Sequence, residues 1–407
     1  MSLLTSLLIL IVVARLFGQI FQRFNQPAIV GEMLAGVLLG PSVLNLIHAS
    51  AALSGVSELA VFLVVLSAGL EMDFKDIVDA LRGKGIVIAI LGFVIPLTAG
   101  ILVGVAFQLD VMRTVFLGLC VSITALPVTV RILQSFKLLD SDIASYSVAT
   151  AIFNDIAAFL ALGVILNLPA QGSIQSVGVS ILGTSWKLVA LAGFILGFNL
   201  FLQKVIERGI HIERIAENLL DVLGSEALFG ILVLFVLAFG SVSEALGFHF
   251  VIGAFFGALL VDPKYFFASR YHELDRTLRS VTEGFLAPVF FAYLGLEFNV
   301  GAMTSFWFVA VVLAVSIGSK ILAGWLGGRL IGLSQARSLG IGIILNGRGV
   351  MELVIASIAY ELGFIGQGLF STLVLMGVVT TMMTPLMLRK WVMPQLEKES
   401  EGASRER

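Results

Sequence analysis

Asn154 and Asp155 stand side by side in ATAIFNDIAAFLAL, in the middle of an apolar segment at 143–168. About 20 helical residues cross a bilayer, so the segment is long enough to span and puts a carboxylate near the midplane. An Asp at that depth must face protein or water, which marks it as functional, or else as a structural carboxylate paired inside a bundle. Ionised, it offers oxygen to a hard monovalent cation such as Na+ or K+; the same oxygens take a proton. A group that holds one guest or the other, never both, couples two fluxes. Asn154 adds a carbonyl oxygen without charge.

Lys320, in SIGSKILAG, falls near the middle of the apolar segment 305–330. A buried ammonium has to be paired, neutral or wet. Its expected partner is Asp155 or the negative end of a helix fragment. The favoured role is a counter-charge that an arriving cation displaces; the other role is a proton carrier. With one carboxylate in the pair, exchange of one cation for one proton closes the charge balance.

Two irregular stretches must position these groups. In VSITALPVTVRIL, Pro127 interrupts the span 115–133 by removing a backbone hydrogen bond and crowding the preceding turn. In ILNGRGVMELVI, the run from Asn346 to Gly349 is a poor helix interior. The spacing that relates Gly31 to Gly253, in two similar glycine-rich segments, carries Thr124 onto Asn346. Interrupted segments at matching positions of two halves point to a transport site at the midplane. If they cross, their partly positive and partly negative ends need balancing charges. Thr124 and Ser122 then supply hydroxyl or freed backbone oxygens, and the expected cation ligands are Asp155, Asn154 and Thr124, with Ser122 beside them. Arg348 and Glu352, four apart, share a helix face and read as a pair pinning the second break. Glu32, among Gly31, Gly36 and Gly40, reads as structural, with Arg15 or Arg348 as partner. Glu71, Asp73, Lys75, Asp76 and Asp79 read as a solvated charged face.

The composition agrees with a membrane setting. The 407 residues are 58% hydrophobic and 13% charged, with mean hydropathy +1.04; soluble chains carry about 25% charged residues. Long unbroken apolar runs exclude a transmembrane barrel. The single cysteine, Cys120, excludes an intrachain disulfide. No Gly-x4-Gly-Lys-Ser/Thr run suggests ATP hydrolysis, and the chain is expected to be neither an enzyme nor a cofactor carrier. The net charge of −2 carries no signal for a nucleic-acid partner. The N-terminus lacks a basic region and a cleavage site, so it reads as the first span.

Hydropathy and breakers predict an all-α polytopic membrane protein with about thirteen spans. With the N-terminus outside, twenty of the 25 Lys and Arg fall on inner loops and the tail, two on outer loops and three within spans. That bias orients the chain, N-terminus outside and C-terminus cytoplasmic. PAIVGEMLAGVLLGP resembles FHFVIGAFFGALLVDP, and VFLVVLSAGLEMDF resembles VFFAYLGLEFNV. The two offsets are nearly equal, Gly31 matching Gly253 in the first pair and Gly69 matching Gly295 in the second. Six spans lie on each side of the seventh, so the two halves are inverted repeats. The expected division is a first repeat at 1–176, a linker helix at 177–222, a second repeat at 223–393 and a short cytoplasmic tail at 394–407.

At these residues the chain resembles the monovalent cation:proton antiporter-2 family, over nearly its whole length. PAIVGEMLAGVLLGP, the Gly-Leu-Glu segment, TALP, FND, Lys320 and NGRG carry the resemblance. It implies crossed discontinuous helices in a core domain that moves against a dimerisation domain, elevator fashion, in a homodimer. It implies that Asp155 carries cation and proton while Lys320 faces it. Members with two adjacent aspartates are typically electrogenic; with Asn154 at the first position, this chain is expected to be electroneutral. Some relatives add a long cytoplasmic nucleotide-binding domain, here absent or removed. A cation channel and a Na+-coupled symporter of an organic solute are the alternatives.

Overall fold

The computed structural model describes residues 2–24, 26–72, 83–167, 174–208, 214, 217, 224, 227–303 and 305–405. Among the described residues there is helix and no strand. In chain order the helices are α1 (Leu3–Arg23), α2 (Ala28–Leu39), α3 (Ala51–Leu70), α4 (Gly85–Ala106), α5 (Val111–Ser122), α6 (Leu126–Ser135), α7 (Asp142–Ile165), α8 (Ile174–Glu207) and α9 (Ala227–Ala245). They continue as α10 (Phe250–Leu259), α11 (Ala268–Val281), α12 (Ala287–Glu297), α13 (Phe306–Leu330), α14 (Gln335–Ile344), α15 (Val350–Glu361), α16 (Gln367–Met387) and α17 (Met393–Arg405). Nine stretches of described helix are long and apolar enough to cross a membrane, and α2 and α10 are shorter apolar helices.

Some of the helices start where a short polar side chain takes up a free N–H group. Asp110 accepts from Arg113 N at 2.9 Å to open α5, and Ser334 accepts from Arg337 N at 3.3 Å to open α14. The second span is shorter than its hydropathy, which runs to 47. α2 stops at Leu39 because Gly40 is extended and precedes Pro41, a position that disfavours helix.

The chain divides into two compact units. One holds Met1–Gly55, Asp76–Ala158 and Pro288–Arg407; the other holds Val56–Lys75 and Phe159–Ala287. Within the first unit, helices approach through glycine. A Cβ on Gly100 would come 2.7 Å from Gly118 Cα, so α4 lies directly on α5. A Cβ on Gly324 would overlap the Gly342 backbone, so α13 lies as closely on α14. An apolar cluster of Ile88, Val128, Ile132, Ile143, Ile341, Ile344 and their neighbours packs against the same elements. In the second unit, Gly69 and Gly253 make comparable close approaches to Ala258 and to the Phe239 backbone.

Candidate functional site

Both expected breaks exist. The span 115–133 is two helices, α5 and α6, separated by Ile123, Thr124 and Ala125. Pro127 sits in the first turn of α6, where a missing N–H costs nothing because that donor has no helical partner anyway. The segment 338–362 is α14 and α15, separated around Asn346, Gly347, Arg348 and Gly349. The breaks are stitched together: Ala125 N donates to Gly347 O at 2.9 Å, and Thr124 Oγ1 donates to Leu345 O at 2.9 Å.

The two helix ends at these breaks are completed differently. A helix leaves its last four carbonyls without helical donors. At the end of α5 all four are met by side chains. Ser122 Oγ donates to Leu119 O at 2.7 Å. Arg348 donates through Nη1 to Cys120 O at 2.5 Å and through Nη2 to Val121 O at 2.8 Å. Lys320 Nζ donates to Ser122 O at 2.5 Å, and Asn154 Nδ2 donates to the same oxygen at 3.3 Å. Two cationic side chains thus crowd the negative end of one half-helix, as its dipole favours. The end of α14 closes on its own chain instead. Leu345 N, Asn346 N and Gly347 N donate to Ile341, Ile343 and Ile344, and Asn346 Nδ2 donates to Gly342 O at 3.1 Å.

Thr124 is the hub. Its hydroxyl gives one hydrogen bond and accepts two, from Lys320 Nζ at 2.7 Å and Asn154 Nδ2 at 3.3 Å, which fills its capacity. Lys320 has a third acceptor, Gly92 O of α4, at 3.1 Å. Arg348, Glu352 and Asp155 are among the charged groups whose fields reach its ammonium. Asp155, Asn154, Thr124, Ser122, Lys320, Asn346 and Glu352 are wholly buried, and Arg348 is 1% exposed. Among the described residues, Asn154 Oδ1 and Asn346 Oδ1 have no hydrogen-bond partner.

The structure therefore brings together Ser122, Thr124, Asn154, Lys320, Asn346 and Arg348. Ser122 takes part through its carbonyl, since its hydroxyl is used within α5. Arg348 and Glu352 do pair, at 3.5 Å, but the guanidinium also caps α5, a role the spacing alone did not suggest. Thr381 of α16 clamps the Arg348 backbone from both sides, accepting from its N–H at 3.2 Å and donating to its carbonyl at 2.9 Å. Glu32 lies elsewhere, its carboxylate against Gly18 of α1, where an added Cβ would stand 3.1 Å away. Sequence reasoning missed Gly92 and Thr381. For Gly92 a signal was present in Pro96, four residues on in the same span.

One residue of the expected charged face, Glu71, is less solvated than its sequence neighbours suggested. Glu71 directly follows α3, its N–H on Ser67 O at 3.2 Å; its side chain is only 24% exposed and meets Arg279 of α11 at 3.4 Å. Burial pushes its carboxyl up to about 7; Arg279 opposes the shift, and Glu283 and Asp275 add to it. Asp73, Lys75, Asp76 and Asp79 lie outside the described residues.

Known proteins are similar to this chain in sequence and in fold. The family model described as "Sodium/hydrogen exchanger, transmembrane" matches residues 7–393. The chain belongs to that family. A probable Na+/H+ antiporter, GerT, of Bacillus cereus is 25% identical over 95% of this chain and 98% of its own length. The Na+/H+-K+ antiporter GerN of the same species is 26% identical, covering 92% of each chain. The sodium proton antiporter MjNhaP1 of Methanocaldococcus jannaschii shares the fold, with a TM-score of 0.70 at 18% identity over 96% of this chain and 97% of that one. The resemblance to the monovalent cation:proton antiporter-2 family stands, and this exchanger-family chain is an integral multi-pass membrane protein.

Proposed function

We propose that this chain exchanges a monovalent cation, Na+ or K+, for H+ across the membrane, with Asp155 as the shared site. One observation carries it. At the end of α5, the Ser122 carbonyl and the Thr124 hydroxyl hold a lysine ammonium in a fully buried setting. An oxygen cage that fits one monovalent cation fits another of similar charge. The incoming ion takes those two oxygens from Lys320 and adds an Asp155 oxygen and Asn154 Oδ1. Asn154 is oriented for this, because its Nδ2 is spent on the same two oxygens and its Oδ1 has no partner among the described residues. A proton on Asp155 replaces the cation on the return step. Lys320 keeps its charge in both states, so each turn moves one positive charge each way and the exchange is electroneutral.

We further propose two inverted repeats in about thirteen spans, divided at 1–176, 177–222, 223–393 and 394–407. Several features recur at one constant separation along the chain. It relates the cap Asp110 to the cap Ser334, and the contact glycines Gly100 and Gly118 to Gly324 and Gly342. It also relates Ala125 to Gly349, the residues that open α6 and α15. This register pairs Thr124 with Arg348, not with Asn346. A homodimer and an elevator-type alternation belong to the same proposal, as do an outer N-terminus and a cytoplasmic C-terminus. The relatives cited above are named antiporters, which leaves the channel and the organic-solute symporter without support.

In proteoliposomes with a preset pH gradient, adding Na+, K+ or both is expected to collapse the gradient, at a rate that imposed voltage does not change. Asp155→Asn is expected to abolish the response; a variant that still collapses the gradient removes Asp155 from the mechanism.

A further inference from the structure

α4 carries Pro96 in its interior. A helical proline has no N–H for the carbonyl four residues back, and its ring crowds that carbonyl aside. Here that carbonyl is Gly92 O, and it accepts from Lys320 Nζ at 3.1 Å. Gly92 has no room for a side chain: a Cβ would lie 2.9 Å from Thr150 Cγ2 and 3.4 Å from Leu345 Cδ1. The two residues thus deliver one free backbone oxygen to one place between α4, α7 and α14. Of the three acceptors of Lys320, the other two are the oxygens assigned above to the transported cation. Gly92 O is the one acceptor outside that cation set. Pro96 also precedes Lys320 by the same separation that relates the paired caps and contact glycines.

We propose that Gly92 and Pro96 are positioning residues for Lys320: together they supply a dedicated backbone acceptor that holds its ammonium over the α5 end and sets how strongly it competes with the transported cation. This rests on the exchange function above. Pro96→Ala restores an N–H that engages Gly92 O, and alanine favours helix, so the fold is not put at risk. Lys320 then holds the shared oxygens less firmly.

The test is a double-mutant cycle in proteoliposomes, with Na+ and K+ as the cations. Pro96→Ala is expected to lower the apparent KM for the cation threefold or more, the change falling on KM rather than kcat. In a Lys320→Met background the same substitution is expected to change nothing, because the competitor is gone. An unchanged KM in the parent, or an equal shift in both backgrounds, overturns the proposal. Should Lys320→Met not transport, the cation-induced rise in melting temperature of the four purified proteins in detergent reads the same cycle. There a larger rise for Pro96→Ala only when Lys320 is present supports the proposal, and any other pattern overturns it. A parent that exchanges neither cation for H+ overturns the exchange function itself, whereas a transporting parent with no cycle overturns this inference alone.

Discussion

Arg348 meets three obligations with one planar group: two helix-end carbonyls and a buried carboxylate. Arg348→Met strands all three, and breaking a buried charge pair costs about 3–5 kcal/mol. The melting temperature in detergent is expected to fall sharply. Arg348→Lys is expected to rescue little, because a single ammonium cannot reproduce the two-pronged geometry. A lysine variant melting like the parent would show that only the charge matters. At this scale, legibility follows cost. Asp155 and Lys320 stand out in the sequence because a charge in an apolar run is expensive wherever it sits. The capping role of Arg348 does not, because its acceptors lie in the other half of the chain, beyond the reach of any spacing rule. Pro96 reads on its own as a kink, and only the lysine from another span gives its freed carbonyl a purpose.

Helix ends carry the next level of information. At the end of α3, Glu71 is pushed up to about 7, mainly by burial. Its folded value exceeds its ordinary 4.5, so its contribution to stability is complete below pH 4.5 and declines as pH rises to 7. The parent is expected to show this decline in melting temperature between pH 5 and 7.5. Glu71→Gln should flatten that part of the curve, and an unaltered slope would assign the decline to other groups. The sequence pattern marked Glu71 as solvated because its neighbours are charged; burial against α11 is a tertiary fact. Most helices were legible from hydropathy and breakers. The early stop of α2 was not, since apolar residues continue beyond Gly40 while the backbone does not.

For the whole molecule, charge on the loops and the paired motifs together lead to the proposed orientation and repeat. A reporter fused to the C-terminus is expected to read as cytoplasmic, and an external signal would reverse the assigned orientation. Within the proposed repeat, sequence similarity matches Thr124 to Asn346, where the caps and contact glycines match it to Arg348. Loosely matched apolar strings tolerate such slips, whereas caps and glycine contacts do not. Part of the expected linker at 177–222, namely residues 209–213, 215, 216 and 218–222, lies outside the described residues.

The unequal completion of the two breaks has a further consequence. One joint is closed mostly by its own peptide groups, with the Asn346 side chain on Gly342 O, so most changes there must re-route the main chain. The other is closed by side chains, three of them reaching in from other segments. Positions 154 and 320 are thus where the donors offered to that helix end can change without re-routing the backbone, whereas Arg348 is also tied to a buried carboxylate.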